Sequence, residues 1–487
     1  MTMKLIFLSY SFILVIVTTC LIYLDIEGST IYNIMLVSYL MQASLFISTI
    51  RRESEGKTQY LRPVFILLLG LTIVNFQVVI DTIYGAFRTE ITIWRFQEYI
   101  GKFLYLGIIA QTSLSIGYVC KRKNYNIIRE KEERPSEFDI PQYLWGGILI
   151  ALFVLFILTI DVRAFLTGDS SVNDGSFDRK VGTLALYSEL ILNAIFVITI
   201  SVIANSYSNE EDKSVKGFLS SFPIIFWIIF SIYIFLRLLS GDRGPVIYNI
   251  TTLLFAYIYA TKRVFSIASL SILLVVAALA VTVIGIARKK TSTLSFEAKM
   301  AYAVEELRKS DTQSFVPITQ ELANSVKVTG IAIRGLERGT IEQGYGRYNL
   351  TALTNAIPFS ARLLYTLFPK MREKSFVSSE TLTVEGYGKN YSSGLGNTAI
   401  ADVYLDFRTL GIPIMFFIFG LIYRKVDEVI VEGKNVSPYL LTFVLFLSSH
   451  AIYIGRSSFS FIVANACLYV LIQYVLNFLI KFTNIKR

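Results

Sequence analysis

Apolar runs of about 20 residues alternate with short polar loops along most of this 487-residue chain. A helix of that length crosses the ~30 Å hydrocarbon core of a bilayer. The pattern predicts membrane helices at 5–24, 31–50, 63–84, 99–120, 142–160, 184–205, 218–238, 245–261, 264–287, 409–423, 438–454 and 457–480, twelve in all. One long polar segment, 288–408, interrupts the series between the ninth and tenth runs. The chain thus divides into helices one to nine (1–287), a large loop (288–408) and helices ten to twelve (409–487).

Composition agrees with that pattern. The chain is 54% hydrophobic and only 17% charged, with a mean hydropathy of +0.56, whereas a soluble domain carries about 25% charged residues. The fold class is therefore an all-α polytopic membrane protein. The net charge of +10 is not a nucleic-acid footprint, because much of the excess sits beside helix ends on one side. Arg51, Arg52 and Arg62, the cluster Lys121–Lys123, Lys213, Lys216, Lys262, Arg263, Arg424 and Lys425 all fall in alternate loops, and Lys4, Lys481, Lys486 and Arg487 lie near the termini. Basic residues in short loops stay cytoplasmic, so both termini are expected inside and 288–408 outside. The sixteen basic residues of 288–408 do not contradict this, since long loops escape the rule. Cys20, Cys120 and Cys467 are scattered in or beside apolar runs, which suggests neither a disulfide framework nor a metal site.

The first apolar run is longer than the 7–15-residue core of a signal peptide and no small-x-small site precedes Asp25, so it reads as an uncleaved helix. Within the large loop, Phe296, Met300, Val304 and Leu307 form a stripe at helical spacing, with Glu305 four residues before Lys309. Pro317 suits a first helical turn, and Ile318, Leu322 and Val326 continue one face. The stretch Pro358–Phe368 is apolar enough to dip toward the membrane surface, and Gly386–Gly396 is a glycine-rich passage that lets backbone approach a ligand.

Several residues could carry chemistry. Ser240-Gly-Asp-Arg-Gly-Pro245 forms a turn between helices seven and eight, with Arg237 one turn earlier. Arginine near hydrocarbon is costly and takes a partner or a ligand, and its planar fork matches phosphate oxygens. Arg237 and Arg243 are thus either phosphate ligands or structural residues, Arg243 pairing with Asp242 and Arg237 reaching the headgroups. His450, the single histidine, lies near the outer end of helix eleven, followed by Tyr453 and Arg456. It is either a general base or a hydrogen-bonded residue of the bundle. In the loop, Arg334, Arg338, Arg347, Arg362 and Arg408 accompany Glu337, Glu342, Glu385, Asp402 and Asp406, and the sixteen basic against twelve acidic residues favour an anionic substrate. Most of these are solvated charges, but Asp402, Asp406 and Arg408 stand where loop and membrane meet. Asp25 and Glu27 form an acidic pair in a loop too short to hold a metal, and Gly386–Gly396 lacks the Gly-Lys-Ser/Thr ending of a phosphate loop.

Gly394-Leu-Gly-Asn-Thr-Ala-Ile-Ala-Asp-Val-Tyr-Leu-Asp-Phe-Arg-Thr-Leu-Gly411 resembles the end of the large periplasmic loop in Wzy-type O-antigen and capsule polymerases. That family shows a small-residue stretch, an acidic residue, Tyr-x-x-Phe-Gly and a further glycine before the next helix. Gly241, Arg243 and Gly244 look like its Gly-x-Arg-Gly turn. Asp402 stands where glutamate is commoner, and Arg408 occupies the glycine position after Phe407.

The resemblance implies about twelve transmembrane helices with a large, partly helical periplasmic loop, a GT-C-like architecture in the bacterial inner membrane. It implies an enzyme that joins undecaprenyl-diphosphate-linked oligosaccharide repeat units outside the membrane, inverting the anomeric carbon and needing no metal or other cofactor. In that reading His450 or Asp402 is the general base, while Arg237, Arg243, Arg408 and Arg456 bind the diphosphate. Arg338, Tyr404 and Tyr453 contact glycan. Membrane lipid is a further partner, and a co-polymerase that regulates chain length is a candidate one. An O-antigen ligase is the nearest alternative, though a histidine is typical of its external loop and 288–408 has none. A transporter of the same lipid-linked unit is the other, against which stands the lack of two similar halves.

Overall fold

The computed structural model describes residues 3–24, 26, 28–53, 60–84, 99–120, 142–160, 179–210, 213–240, 243–265, 316, 319–355, 366–367, 376–389, 391, 394–432 and 436–484. Among these, every regular element is helical. Helices α1 (Met3–Tyr23), α2 (Ser29–Glu53), α3 (Pro63–Ile83, with a π-helical turn at Ile73–Gln77) and α4 (Ile100–Cys120) open the chain. Next come α5 (Gln142–Thr159), α6 (Arg179–Tyr207), α7 (Val215–Ser220), α8 (Ile224–Ser240) and α9 (Arg243–Thr261). The polar segment contributes α10 (Gln320–Ala323), α11 (Val326–Arg338), α12 (Arg347–Asn355) and α13 (Ser378–Tyr387). The chain closes with α14 (Ala399–Ile430), α15 (Pro438–His450), a 3-10 turn (Ala451–Arg456) and α16 (Phe459–Asn484). Eight of the described helices are long and apolar enough to cross a membrane, and Trp145–Thr159 and Ile224–Leu238 are shorter apolar helices.

Eleven of the expected spans coincide with described helices; the ninth, 264–287, lies almost wholly outside the described residues. Two spans differ in detail. The run 218–238 is divided by a turn at 221–223 between α7 and α8, where Pro223 has no N–H to donate. The tenth helix begins at Ala399 rather than 409, but its backbone breaks at Arg408 (φ 54°, ψ −151°), so the apolar part still starts where the hydropathy placed it. The loop stripe at Phe296–Leu307, the acidic pair Asp25 and Glu27, and residues 356–365 lie outside the described residues, as do Pro317 and Ile318. The helix expected after Pro317 breaks at Asn324–Ser325 and resumes as α11.

At the centre, α14 packs along α4 with backbones in contact. A methyl group on Gly420 would collide with Leu114 O, and one on Gly117 with Phe417 O. Inside a bilayer helices gain no hydrophobic drive toward one another, so small residues that let backbones meet set the crossing. A similar approach joins α3 to the 3-10 turn, where a methyl on Gly70 would strike Ile452 O. That seat positions Arg456 and the residues after it.

The described loop helices sit over one set of helix ends. Gln77 of α3 donates to Val316 O at 2.8 Å, and Lys102 of α4 pairs with Glu337 of α11 at 2.6 Å. At the opposite ends, Asp427 of α14 accepts from Val64 N at 3.3 Å and from the Tyr118 hydroxyl at 2.8 Å, beside Arg62. A Gly420→Leu chain should lose about 2 kcal/mol or more through overpacking, read as an earlier thermal transition in detergent. Gly147→Leu, where nothing lies within 4 Å, should stay within about 0.5 kcal/mol of the parent.

Candidate active site

The first two turns of α14 carry Asp402 and Asp406, the two aspartates that the sequence placed at the junction of loop and membrane. Thr398 caps this helix, its hydroxyl accepting from Ala401 N at 3.1 Å, and its own N–H donates to Asn397 Oδ1. The cap aims Asp402 and Asp406 inward, and both are buried. Asp402 accepts from Asn397 Nδ2 at 3.0 Å and from the Ser458 hydroxyl at 2.6 Å. Asn397 also donates to the Ser378 hydroxyl at 2.8 Å, which ties the starts of α13, α14 and α16 together.

Asp406 has a different task. It accepts from Tyr348 N at 3.1 Å and from Asn349 N at 2.8 Å, two N–H groups of the first turn of α12 that lack helical partners. Asn349 Nδ2 adds a third bond at 2.7 Å. A carboxylate at a helix N-terminus also faces the positive end of the helix dipole. Asp406 is therefore a cap borrowed from another helix, and it fixes α12.

Between these groups lies a cavity of about 320 Å³. Its walls include Tyr348 and Thr351 of α12, Phe376, Asn397, Arg456 and Ser458. Asp402 stands one hydrogen bond behind this wall, through Ser458 or Asn397. Burial raises the Tyr348 phenol above its ordinary pKa, so it stays a donor, at 3.4 Å from Glu342 O.

The other expected site residues take distinct places. Arg408 reaches Gln343 Oε1 at 3.4 Å and Leu336 O at 3.2 Å, tying α14 to the end of α11. Its backbone takes up a conformation that favours glycine. A φ of 54° with ψ −151° suits glycine and strains any other residue. Tyr404 is buried in the interior, and Arg338 is exposed at the end of α11.

Arg237 is buried and paired with Glu189 of α6, which also accepts from the Tyr233 hydroxyl at 2.7 Å. Asn193 and Asn249 extend this network to the first turns of α9. Arg243 opens α9, but its side chain, like Gly241 and Asp242, is outside the described set. The His450 ring is clamped between Tyr248 and Phe446, with centroids at 3.9 and 4.1 Å. Its Nδ1 lies 2.9 Å from Phe446 O, which places the proton of the neutral ring on Nδ1. Tyr453 meets Tyr248 edge-on at 5.4 Å. The structure thus puts Arg456 on the wall of one cavity with Asp402 one hydrogen bond behind that wall, groups His450 with Tyr453, and holds Arg237 in a separate ion pair. No cluster of three or more His, Cys, Asp or Glu suited to a metal ion occurs among the described residues.

Sequence reasoning passed over Glu189, Asn397, Ser458 and Thr351. Glu189 had a signal, because an acidic residue within an apolar helix needs a partner as much as Arg237 does. Ser458 had one too: a serine just before an apolar run is a helix cap, and its hydroxyl does accept from Phe461 N at 3.4 Å. Nothing in the sequence marked Thr351.

A many-helix membrane protein with buried acidic and cationic residues beneath a set of loop helices is the class these features define. A family model described as O-antigen polysaccharide polymerase Wzy matches residues 5–487, and the chain belongs to that family. It is a multi-pass membrane enzyme that polymerises O-antigen repeat units, acting on lipid-linked oligosaccharide in the membrane. Neither the curated proteins nor the solved structures compared with it include a match. Arg408→Gly should match the parent's thermal stability, since relief of roughly 1–3 kcal/mol of backbone strain offsets the lost tether. Arg408→Ala keeps the strain and loses the tether, so it should melt earlier in the same detergent assay.

Proposed function

We propose that the chain joins undecaprenyl-diphosphate-linked repeat units at the periplasmic face of the inner membrane, with both termini cytoplasmic. The growing glycan leaves its diphosphate carrier and passes to a hydroxyl of the incoming unit in one inverting displacement. The observation that carries this reading is the cavity where Arg456 shares a wall with the hydrogen-bonded partners of Asp402.

The chemistry needs two things from the protein. Negative charge develops on the departing diphosphate, and fixed guanidinium groups offset it without reorganising. Arg456 fills that role at the cavity, with Arg243 as the further diphosphate ligand and no metal required, while Arg237, paired with Glu189, holds the neighbouring helices. Arg408, tied to Gln343 and Leu336 O, supports the loop from behind. The acceptor hydroxyl must lose a proton, and Asp402 is the group that takes it. His450 is the second candidate base, because the Nδ1 contact with Phe446 O leaves Nε2 as the accepting nitrogen. Arg338 and Tyr453 are the glycan contacts of this scheme, while the buried Tyr404 supports them. A chain-length-regulating co-polymerase is the expected protein partner.

The test uses the purified chain with lipid-linked repeat unit extracted from cells that lack it, in the presence of EDTA. Wild type should build a ladder of lipid-linked oligomers, and Arg456→Ala should lower the rate about 100-fold or more. A ladder that vanishes with EDTA would overturn the metal-free scheme, and a normal ladder from Arg456→Ala would overturn the role of that arginine. Movement of the lipid across proteoliposomes without any ladder would favour a transporter. Asp402→Asn against His450→Phe assigns the base, since only loss of the true base should abolish the rate while binding persists.

A further inference from the structure

We infer that the cavity beside α12 is the subsite for the acceptor sugar, and that Ser458 carries that sugar's hydroxyl proton to Asp402. This rests on the polymerisation reading above and names what occupies its site.

The wall chemistry suits a sugar ring. Tyr348, Phe376 and Phe461 supply aromatic side chains for the apolar side of a pyranose, while Thr351, Asn355 and Ser379 supply polar groups for its hydroxyls. The volume of about 320 Å³ lies at the small end of ligand sites. One wall residue has no partner among the described residues: the Thr351 hydroxyl is buried, 2% exposed for the residue, and makes no hydrogen bond with any described group. A buried hydroxyl left unpaired is unfavourable and rare, so its partner comes from what fills the cavity.

Ser458 connects that cavity to Asp402. Its hydroxyl donates to Asp402 Oδ2 at 2.6 Å and accepts from Phe461 N at 3.4 Å. A hydroxyl has one proton and two lone pairs, so one lone pair remains to accept a proton from the cavity side. Asp402, fully buried behind Ser458, meets the acceptor through this hydroxyl. In the step, the acceptor oxygen bonds to the anomeric carbon of the donor sugar and its proton passes to Ser458 Oγ. The original Ser458 proton moves to Asp402 Oδ2. The bond from the anomeric carbon to the diphosphate oxygen breaks, and its electron pair leaves with the diphosphate, facing Arg456. Asp402 then returns its proton to solvent.

The chain is assayed with the extracted lipid-linked unit as donor and the same unit, released from its diphosphate by mild acid, as an acceptor that cannot donate. Thr351→Val removes only the unpaired hydroxyl, so the melting temperature should hold while KM for the acceptor rises about tenfold and that for the donor stays constant. An unchanged acceptor KM would overturn the subsite. Ser458→Ala should lower kcat about 100-fold with both KM values kept, and Ser458→Thr should recover most of the rate. Wild-type kcat in Ser458→Ala would overturn the relay. Should the alanine chain melt early, wild type decides: a curved dependence of rate on deuterium fraction marks two protons in flight, and a straight line overturns the relay. A wild type that makes no polymer from the donor alone would instead overturn the reading on which this one rests.

Discussion

Two aspartates on α14 cap helices that belong to other parts of the chain, and much of the architecture depends on them. Asp406 accepts from Tyr348 N and Asn349 N at the start of α12, and Asp427 accepts from Val64 N at the start of α3. A helix end away from water cannot leave its first N–H groups unpaired, and the cost rises where lipid replaces solvent. By supplying both acceptors, α14 fixes the loop helix at one end of the bundle and a membrane helix at the other. The backbone break at Arg408 lies between these two caps, two residues after Asp406 and well before Asp427.

The glycine crossing of α4 and α14 makes this arrangement stiff. With Gly117 and Gly420 in backbone contact, no side chain can adjust between the two axes. The position of Asp402 relative to α4 is thereby inherited from packing in the membrane, while its position relative to the cavity is set by Asn397 and Ser458. A site shared between loop and bundle needs both constraints. A small misplacement of reacting groups is costly in rate.

Charge inside the bundle is handled by pairing. Arg237 meets Glu189, and Arg62 and Arg424 meet Asp427 and Glu428. Such pairs cost about as much desolvation as they return in attraction, so they hold geometry more than they add stability. Arg456 is half-buried on a cavity wall that mixes aromatic, hydroxyl and amide groups. That setting matches a cation meant for a ligand's negative charge.

The hydropathy pattern by itself determined that the chain spans a membrane repeatedly and that a polar segment interrupts the spans late. Both follow from composition over some 20 residues, which a bilayer reads without reference to partners. The motif around Asp402 and Arg408 was likewise legible, down to the glycine position, whose meaning appeared only as a positive φ at Arg408. Tertiary structure decided the rest. The sequence could not say that Asp406 is a cap and Asp402 a candidate proton acceptor, since both are aspartates one turn apart on one helix. Their partners, Asn349 and Ser458, lie 57 and 56 residues away along the chain. Nor could it distinguish Arg237, closed in an ion pair, from Arg456 on a cavity wall. A charge's role depends on what the fold places within hydrogen-bond reach, and that distance is not encoded in local spacing.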